Sequence, residues 1–237
     1  MTEWQAKRFW TKATVEEAGQ GFTVALDGRP VKTPGKSLLL VPTRAMAEAV
    51  AAEWEAQPEI IDPRTMPVTR AANSVIEKIV PQRAAVIDAL AEYGASDLIC
   101  YRAERPQELV ARQVAAWDPL LAWAREALGA ELRTTTGVMF AAQSAQALTA
   151  LRAPLEAASD YALAGLHDLI MLSGSLVIGL KARQVTDPGP LWEASRVDET
   201  FQADEWGYDA EAVAAAEAKR AAFFDAHRFH SLSGQAN

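Results

Sequence analysis

Side chains able to trade a proton near neutral pH are few in this 237-residue chain: three histidines, His167, His227 and His230, and one cysteine, Cys100. His167 stands beside Asp168, the residue types of a general base and its orienting carboxylate. Successive helical residues point ~100° apart and do not face each other, so a satisfied core histidine is expected at 167. His227 and His230, three apart, could share one helix face, but a zinc-type site needs a third ligand and none stands near. Surface or terminal positions are expected for both. Asp198 with Glu199, and Asp204 with Glu205, supply the carboxylates of glycosidase-type acid–base work. Neighbours in sequence do not face one another across a cleft, so an acid-rich helix surface is the plainer expectation. A single cysteine excludes an intrachain disulfide and a thiolate-rich zinc site, and it fits a reducing compartment.

Phosphate chemistry fails on spacing. Gly35-Lys36-Ser37 ends like the GxxxxGKS/T loop, but the glycine required at position 30 is Pro30. Leu38-Leu39-Leu40-Val41 follows, reading as a strand rather than the helix whose start would hold phosphate. Gly19-Gln20-Gly21 opens a dinucleotide fingerprint that lacks its third glycine, since position 24 is Val24. Ser173-Gly174-Ser175 misses the GxSxG frame, with Met171 and Val177 at the flanking glycine positions; small residues letting two helices approach closely explain it. A net charge of −8 and a pI near 5.0 argue against nucleic acid, whose binding needs a basic patch to displace counterions.

What survives is a surface. Arg196 to Asp209 sets five carboxylates and three aromatics, Phe201, Trp206 and Tyr208, beside one arginine, and Glu193 to Glu217 holds eight acids against Arg196 alone. Two readings stand open: a solvated helix with its aromatics tucked inward, or a docking site for a partner with a basic or exposed apolar surface.

The elements that must carry these residues fall into two kinds. Up to Pro42, short β-branched and aromatic runs alternate with turn chemistry: Gly19-Gln20-Gly21, Asp27-Gly28 and Pro34-Gly35 separate four expected strands, with Phe22, Val24 and Leu26 on one buried face. From Thr43, a candidate N-cap, the period becomes helical, with Met46, Val50 and Trp54 on one stripe and Val68, Ala72, Val75, Ile76 and Ile79 on a second. Further helices are expected over Gln82–Tyr93, Pro106–Leu128 with a restart or kink at Asp118-Pro119, Ala145–Leu155, Ser159–Arg183 and Asp209–Phe229. The fold class is therefore α+β, with an N-terminal β-meander domain at 1–42 and a larger C-terminal helical domain at 43–237. Ala162 to Leu180 is apolar enough to invite a membrane span, but Asp168 near its centre makes a buried core helix the expectation. Met1 to Trp10 has no apolar run behind Lys7 and Arg8, and Glu3 disfavours a transit peptide, so a cytosolic protein is expected.

Three stretches together resemble a known family: Leu26 to Pro34 with Val41-Pro42-Thr43; Ala52-Glu53-Trp54 leading to Ile61-Asp62-Pro63 and Met66-Pro67-Val68-Thr69-Arg70; and Arg196 to Gly207. Their order and spacing are similar, nearly end to end, to the F1-ATPase assembly chaperones that protect the α subunit before it joins the catalytic head of ATP synthase. The resemblance implies a β domain followed by a helical domain, no catalytic activity, no cofactor and no dependence on ATP. It implies one partner, the F1-ATPase alpha subunit, with no nucleic acid and no membrane insertion, and a chaperone that is monomeric when free. Eukaryotic relatives work in the mitochondrial matrix, and this chain resembles a bacterial, cytoplasmic member. The matching residues are Glu53 and Trp54, with Trp54 a core anchor, and Arg196, Glu199, Gln202, Trp206 and Gly207. Of these, Arg196, Glu199, Gln202 and Trp206 are the expected client-binding set. Two alternatives stay open: a small-molecule enzyme using His167, Asp168 or Glu199 as acid or base, and an adaptor for some other partner.

Overall fold

The computed structural model describes residues 7–137 and 139–234. Glu3 and the rest of 1–6 in the expected β domain, and 235–237 at the far end, lie outside the described residues. Strands β1 (Ala13–Ala18), β2 (Gly21–Leu26) and β3 (Arg29–Pro30) form an antiparallel sheet in that order. Asp27 (φ 47°) and Gly28 (φ 79°) are both left-handed, as a two-residue hairpin turn requires. The Asp27 carboxylate accepts the N–H groups of Thr11 and Lys12 at 2.8 and 2.9 Å, which hold its pKa below the ordinary carboxylate range.

The fourth strand does not form. The outer edge of β2 is divided: Ala25 and Leu26 pair with Pro30 and Arg29, while Phe22 bridges Val41. Residues 37–41 therefore make only isolated bridges and no ladder. Nor is one face of β2 alone buried, since Thr23 and Ala25 are as enclosed as Val24 and Leu26. Helix α1 (Arg44–Glu55) packs against β1 and β2, and the Thr23 hydroxyl donates to the Leu39 carbonyl at 2.8 Å, so both sides of the strand are covered.

Helix α1 starts where the Thr43 oxygen accepts the Met46 N–H at 3.1 Å, the expected cap. Helix α2 (Pro67–Ser74) passes through a π-helical turn, Val75–Ile79, and a short 3-10 turn, Val80–Gln82, into α3 (Arg83–Glu92). Pro81 lacks an N–H and its ring crowds the carbonyl four residues back, and the widened turn lets the chain continue past it. Helix α4 (Gln107–Trp123) runs on through Pro119 and ends, after a π-helical turn at Ala124–Leu128, on left-handed Gly129. Then come α5 (Ala145–Ala157), α6 (Asp160–Ser173), α7 (Leu176–Ala182), α8 (Gly189–Ser195), α9 (Val197–Trp206) and α10 (Ala210–Leu232). The short parallel pair β4 (Tyr101–Arg102) and β5 (Thr135–Thr136) had no sequence signal. This is the expected α+β class: a small antiparallel sheet followed by helices. Among the described residues no helix is long and apolar enough to cross a membrane.

Contacts gather the described residues into two compact units, one of 7–83, 159–164 and 228–234, the other of 84–137, 139–158 and 165–227. The first has Val24, Leu26, Met46, Val50, Val68 and Val75 at its core, the second Trp117, Leu151, Leu155, Leu166, Leu169 and Ile178. In the second, the single helix expected over Ser159–Arg183 is two. Gly174 (φ 71°) ends α6, and α7 restarts with the Ser175 hydroxyl accepting from Ile178 N at 3.0 Å. The fully enclosed Asp97 carboxylate accepts from Val177 N at 3.0 Å and Ile99 N at 3.3 Å.

Burial pushes the Asp97 pKa up to about 6 from an ordinary 3.8, against the opposing pull of its hydrogen bonds. A carboxyl whose pKa is raised by folding binds its proton more tightly in the native state, so its contribution is full below the unfolded value and is lost as pH rises through the folded one. At about 1.4 kcal/mol per pH unit, the stability of the wild type relative to the D97N variant should fall by about 2–3 kcal/mol between about pH 4 and about pH 7. Urea titrations of both proteins across that range measure it, and a pH-independent difference would refute the assignment.

Candidate functional site

Helix α9 carries the acidic and aromatic stretch, and its inner side is fixed by α4. Phe201 is buried, with the Arg112 guanidinium 5.1 Å over its ring. The Gln113 amide, itself buried, donates to Asp198 Oδ1 at 2.6 Å and accepts Ala103 N–H at 2.8 Å. Arg112 donates to Asp204 Oδ2 at 2.6 Å and to Glu108 at 2.8 Å, while the Tyr208 hydroxyl donates to the other Asp204 oxygen at 2.6 Å. The Arg112 hydrogen bond, followed by that from Tyr208, holds the Asp204 carboxyl below its usual range; the same carboxylate raises the Tyr208 phenol. Asp198 and Glu199 sit in the first turn, where the helix dipole favours negative charge.

The outward side is different. Glu199, Gln202, Glu205, Trp206 and Tyr208 are exposed, Trp206 by 81% and Tyr208 by 66%. Arg196, largely covered, pairs with Glu199 at 2.7 Å and lies 5.7 Å over the ring of buried Trp192. Inward-tucked aromatics therefore describe Phe201 and fail for Trp206 and Tyr208. Gly207 ends the helix at φ 95° and ψ 159°, a backbone region essentially reserved for glycine. Beyond it, α10 is exposed from Ala210 through Ala222 except at half-buried Ala216, and burial begins at Phe223. Sequence reasoning missed Arg112 and Gln113, which stand 92 and 85 residues from their partners on α9; the Glu108–Arg112 spacing of four was the only local hint.

Glu53 and Trp54 lie in the other unit. The Glu53 carboxylate accepts Val68 N at 2.7 Å, Thr69 N at 2.8 Å and the Thr69 hydroxyl at 2.6 Å, closing the start of α2. Trp54 is half-buried and edge-on to buried Trp10, their ring centroids 5.1 Å apart. Arg8 lies over Trp10 at 5.4 Å and donates to the carbonyls of Glu55 and Gln57 at 2.8 and 2.7 Å, satisfying the end of α1.

Two histidine expectations need correcting. His167 is not enclosed: its side chain is 40% exposed and Nδ1 lies 2.8 Å from Asp168 Oδ1. Adjacent helical side chains diverge at Cβ, but both are exposed and able to bend together at their tips. His230 is buried rather than superficial, and half-buried His227 donates from Nε2 to the Val185 carbonyl at 2.9 Å. Burial pushes the Cys100 thiol up to about 12, so the reactive thiolate is scarce. Among the described residues no group of three or more metal-ligating side chains converges.

Known structures share this fold. The family model described as ATP12 chaperone protein matches residues 7–125. Atp12 from Paracoccus denitrificans superposes with a TM-score of 0.94 at 46% identity, covering 98% of this chain and 100% of that one. The Atu1473 protein of Agrobacterium tumefaciens gives 0.91 at 36% identity, covering 95% and 85%.

Residues 7–125 include the Glu53 clamp on α2. Charge-assisted hydrogen bonds at a helix start are each worth more than neutral ones, so Glu53→Ala should cost about 2 kcal/mol of stability, against less than about 0.5 kcal/mol for Glu205→Ala on the exposed side of α9. Thermal or urea unfolding of the two variants checks the contrast; equal losses would contradict it.

Proposed function

Because this chain belongs to the ATP12 chaperone family, the F1-ATPase assembly chaperones, we propose that it binds the free α subunit of F1-ATPase and prevents its aggregation until it joins the catalytic hexamer. A subunit awaiting assembly exposes apolar interface that otherwise aggregates, and a chaperone that covers it needs complementary surface rather than a reaction centre. The observation that supports this function is the outward side of α9, where Glu199, Gln202 and Trp206 are exposed on a helix whose inner side is tied to α4. In this proposal Glu199 and Gln202 make polar contacts with the client, Trp206 supplies apolar area, and Arg196 orients Glu199. The protein acts as a monomer in the bacterial cytoplasm, without ATP, cofactor or catalysis.

Co-expression with the α subunit should raise the soluble fraction of α, and the complex should be recovered by affinity capture. Glu199→Lys reverses a charge at an exposed site and breaks the pair with Arg196, so it should leave the melting temperature nearly unchanged while weakening capture about tenfold. Unimproved α solubility with no recoverable complex would sink the proposal. Turnover of a small molecule abolished by Glu199→Gln would favour the enzymatic alternative instead.

A further inference from the structure

The end of α9 displays an indole in an unusual way. Trp206 is 81% exposed, yet the backbone on either side of it is tied down. Two residues before it, both Asp204 oxygens are taken, one by Arg112 and the other by Tyr208. One residue after it, Gly207 adopts a conformation closed to other residues, and this conformation lets Tyr208 reach back to Asp204. Asp209 then accepts Ala212 N at 2.9 Å and starts α10. The backbone that carries the indole is thus tied on both sides, while the ring itself is left to solvent.

Resting on the function proposed above, we infer that Trp206 is the anchor of the client surface, that Asp204, Arg112 and Tyr208 are positioning residues for it, and that it seats in an apolar cleft of the α subunit bordered by basic side chains. An aromatic side chain carried on backbone that is ordered before contact has only its two side-chain torsions left to lose on binding, which favours large contributions from interface anchors. The chemistry of the cleft follows from the surroundings. Residues 197–218 contain no lysine or arginine, while Glu199, Glu205, Asp209 and Glu211, all within seven residues of Trp206 along the chain, are exposed. Tyr208, two residues on, is exposed as well and adds apolar area. An apolar middle with an acidic rim complements an apolar cleft with a basic rim. The same acids repel an anionic lipid surface, which makes a membrane the weaker occupant.

The test titrates the full chain and its variants against purified α subunit. Trp206→Ala should weaken binding about thirtyfold with an unchanged melting temperature, since little of the side chain is buried. Tyr208→Phe, which removes only the hydroxyl, and Asp204→Asn should each weaken it about fivefold. In the Trp206→Ala background neither should have further effect, because they act through the indole; loss of stability alone would not produce that non-additivity. Binding should also weaken as salt is raised. Wild-type binding that is insensitive to Trp206→Ala overturns this inference and leaves the proposed function standing. Failure of the wild type to bind the α subunit overturns both. Additive effects of Tyr208→Phe and Trp206→Ala would remove Tyr208 and Asp204 as positioning residues, and capture of anionic vesicles in preference to the α subunit would overturn the choice of partner.

Discussion

An α-helix leaves its first N–H groups without partners, and in this protein those groups are answered largely by oxygens from elsewhere in the chain or from the residue just before the helix. Glu53, carried by α1, closes α2; Asp97, from the loop before β4, closes α7 alongside Ser175; Thr43 and Asp209 cap α1 and α10. Helices such as α2 and α7 are only eight and seven residues long, so propensity alone would hold them poorly. Each long-range carboxylate both completes a helix end and fixes the distance between two segments. The Glu-Trp pair at 53–54 and the Pro-Val-Thr run at 67–69 thus belong together for a structural reason, one half supplying the acceptor and the other the donors.

The acids divide by use. Asp27, Glu53, Asp97 and Asp198 face backbone or amide donors, and Asp204 faces Arg112 and Tyr208. Glu199, Glu205 and Glu211 are left on the outside of α9 and the start of α10. The net charge of −8 is therefore not spread evenly in its consequences. Some carboxylates hold the fold together, and others leave one exposed stretch strongly acidic.

Local chemistry announced much of this. The Asp27-Gly28 turn, the Thr43 cap, the start of a helix at Ala145 and the change from strands to helices after Val41 all rest on contacts within a few residues, where spacing carries the information. Four things rested on more. The missing ladder at 37–41 depends on how β2 shares its edge, and the break at Gly174 depends on Asp97 being available to start α7. The contact between His167 and Asp168 arises from side-chain tips that periodicity does not describe. For the acidic stretch, composition left two readings open; the inner pairing with Arg112 and Gln113 separates Phe201, which is buried, from Trp206, which is not, and no spacing within residues 196–209 could have distinguished them.

The N-terminal half of α10 has one more consequence. Residues 210–222 are alanine-rich and touch little else, so they are helical because alanine favours it and because the turns following Phe223 are anchored. Helical order there is held between two ends, the Asp209 cap and the buried turns. Amide protons in the middle of this segment should accordingly be less protected than those of the buried turns after Phe223, so that the exposed turns open while the rest of the chain stays folded.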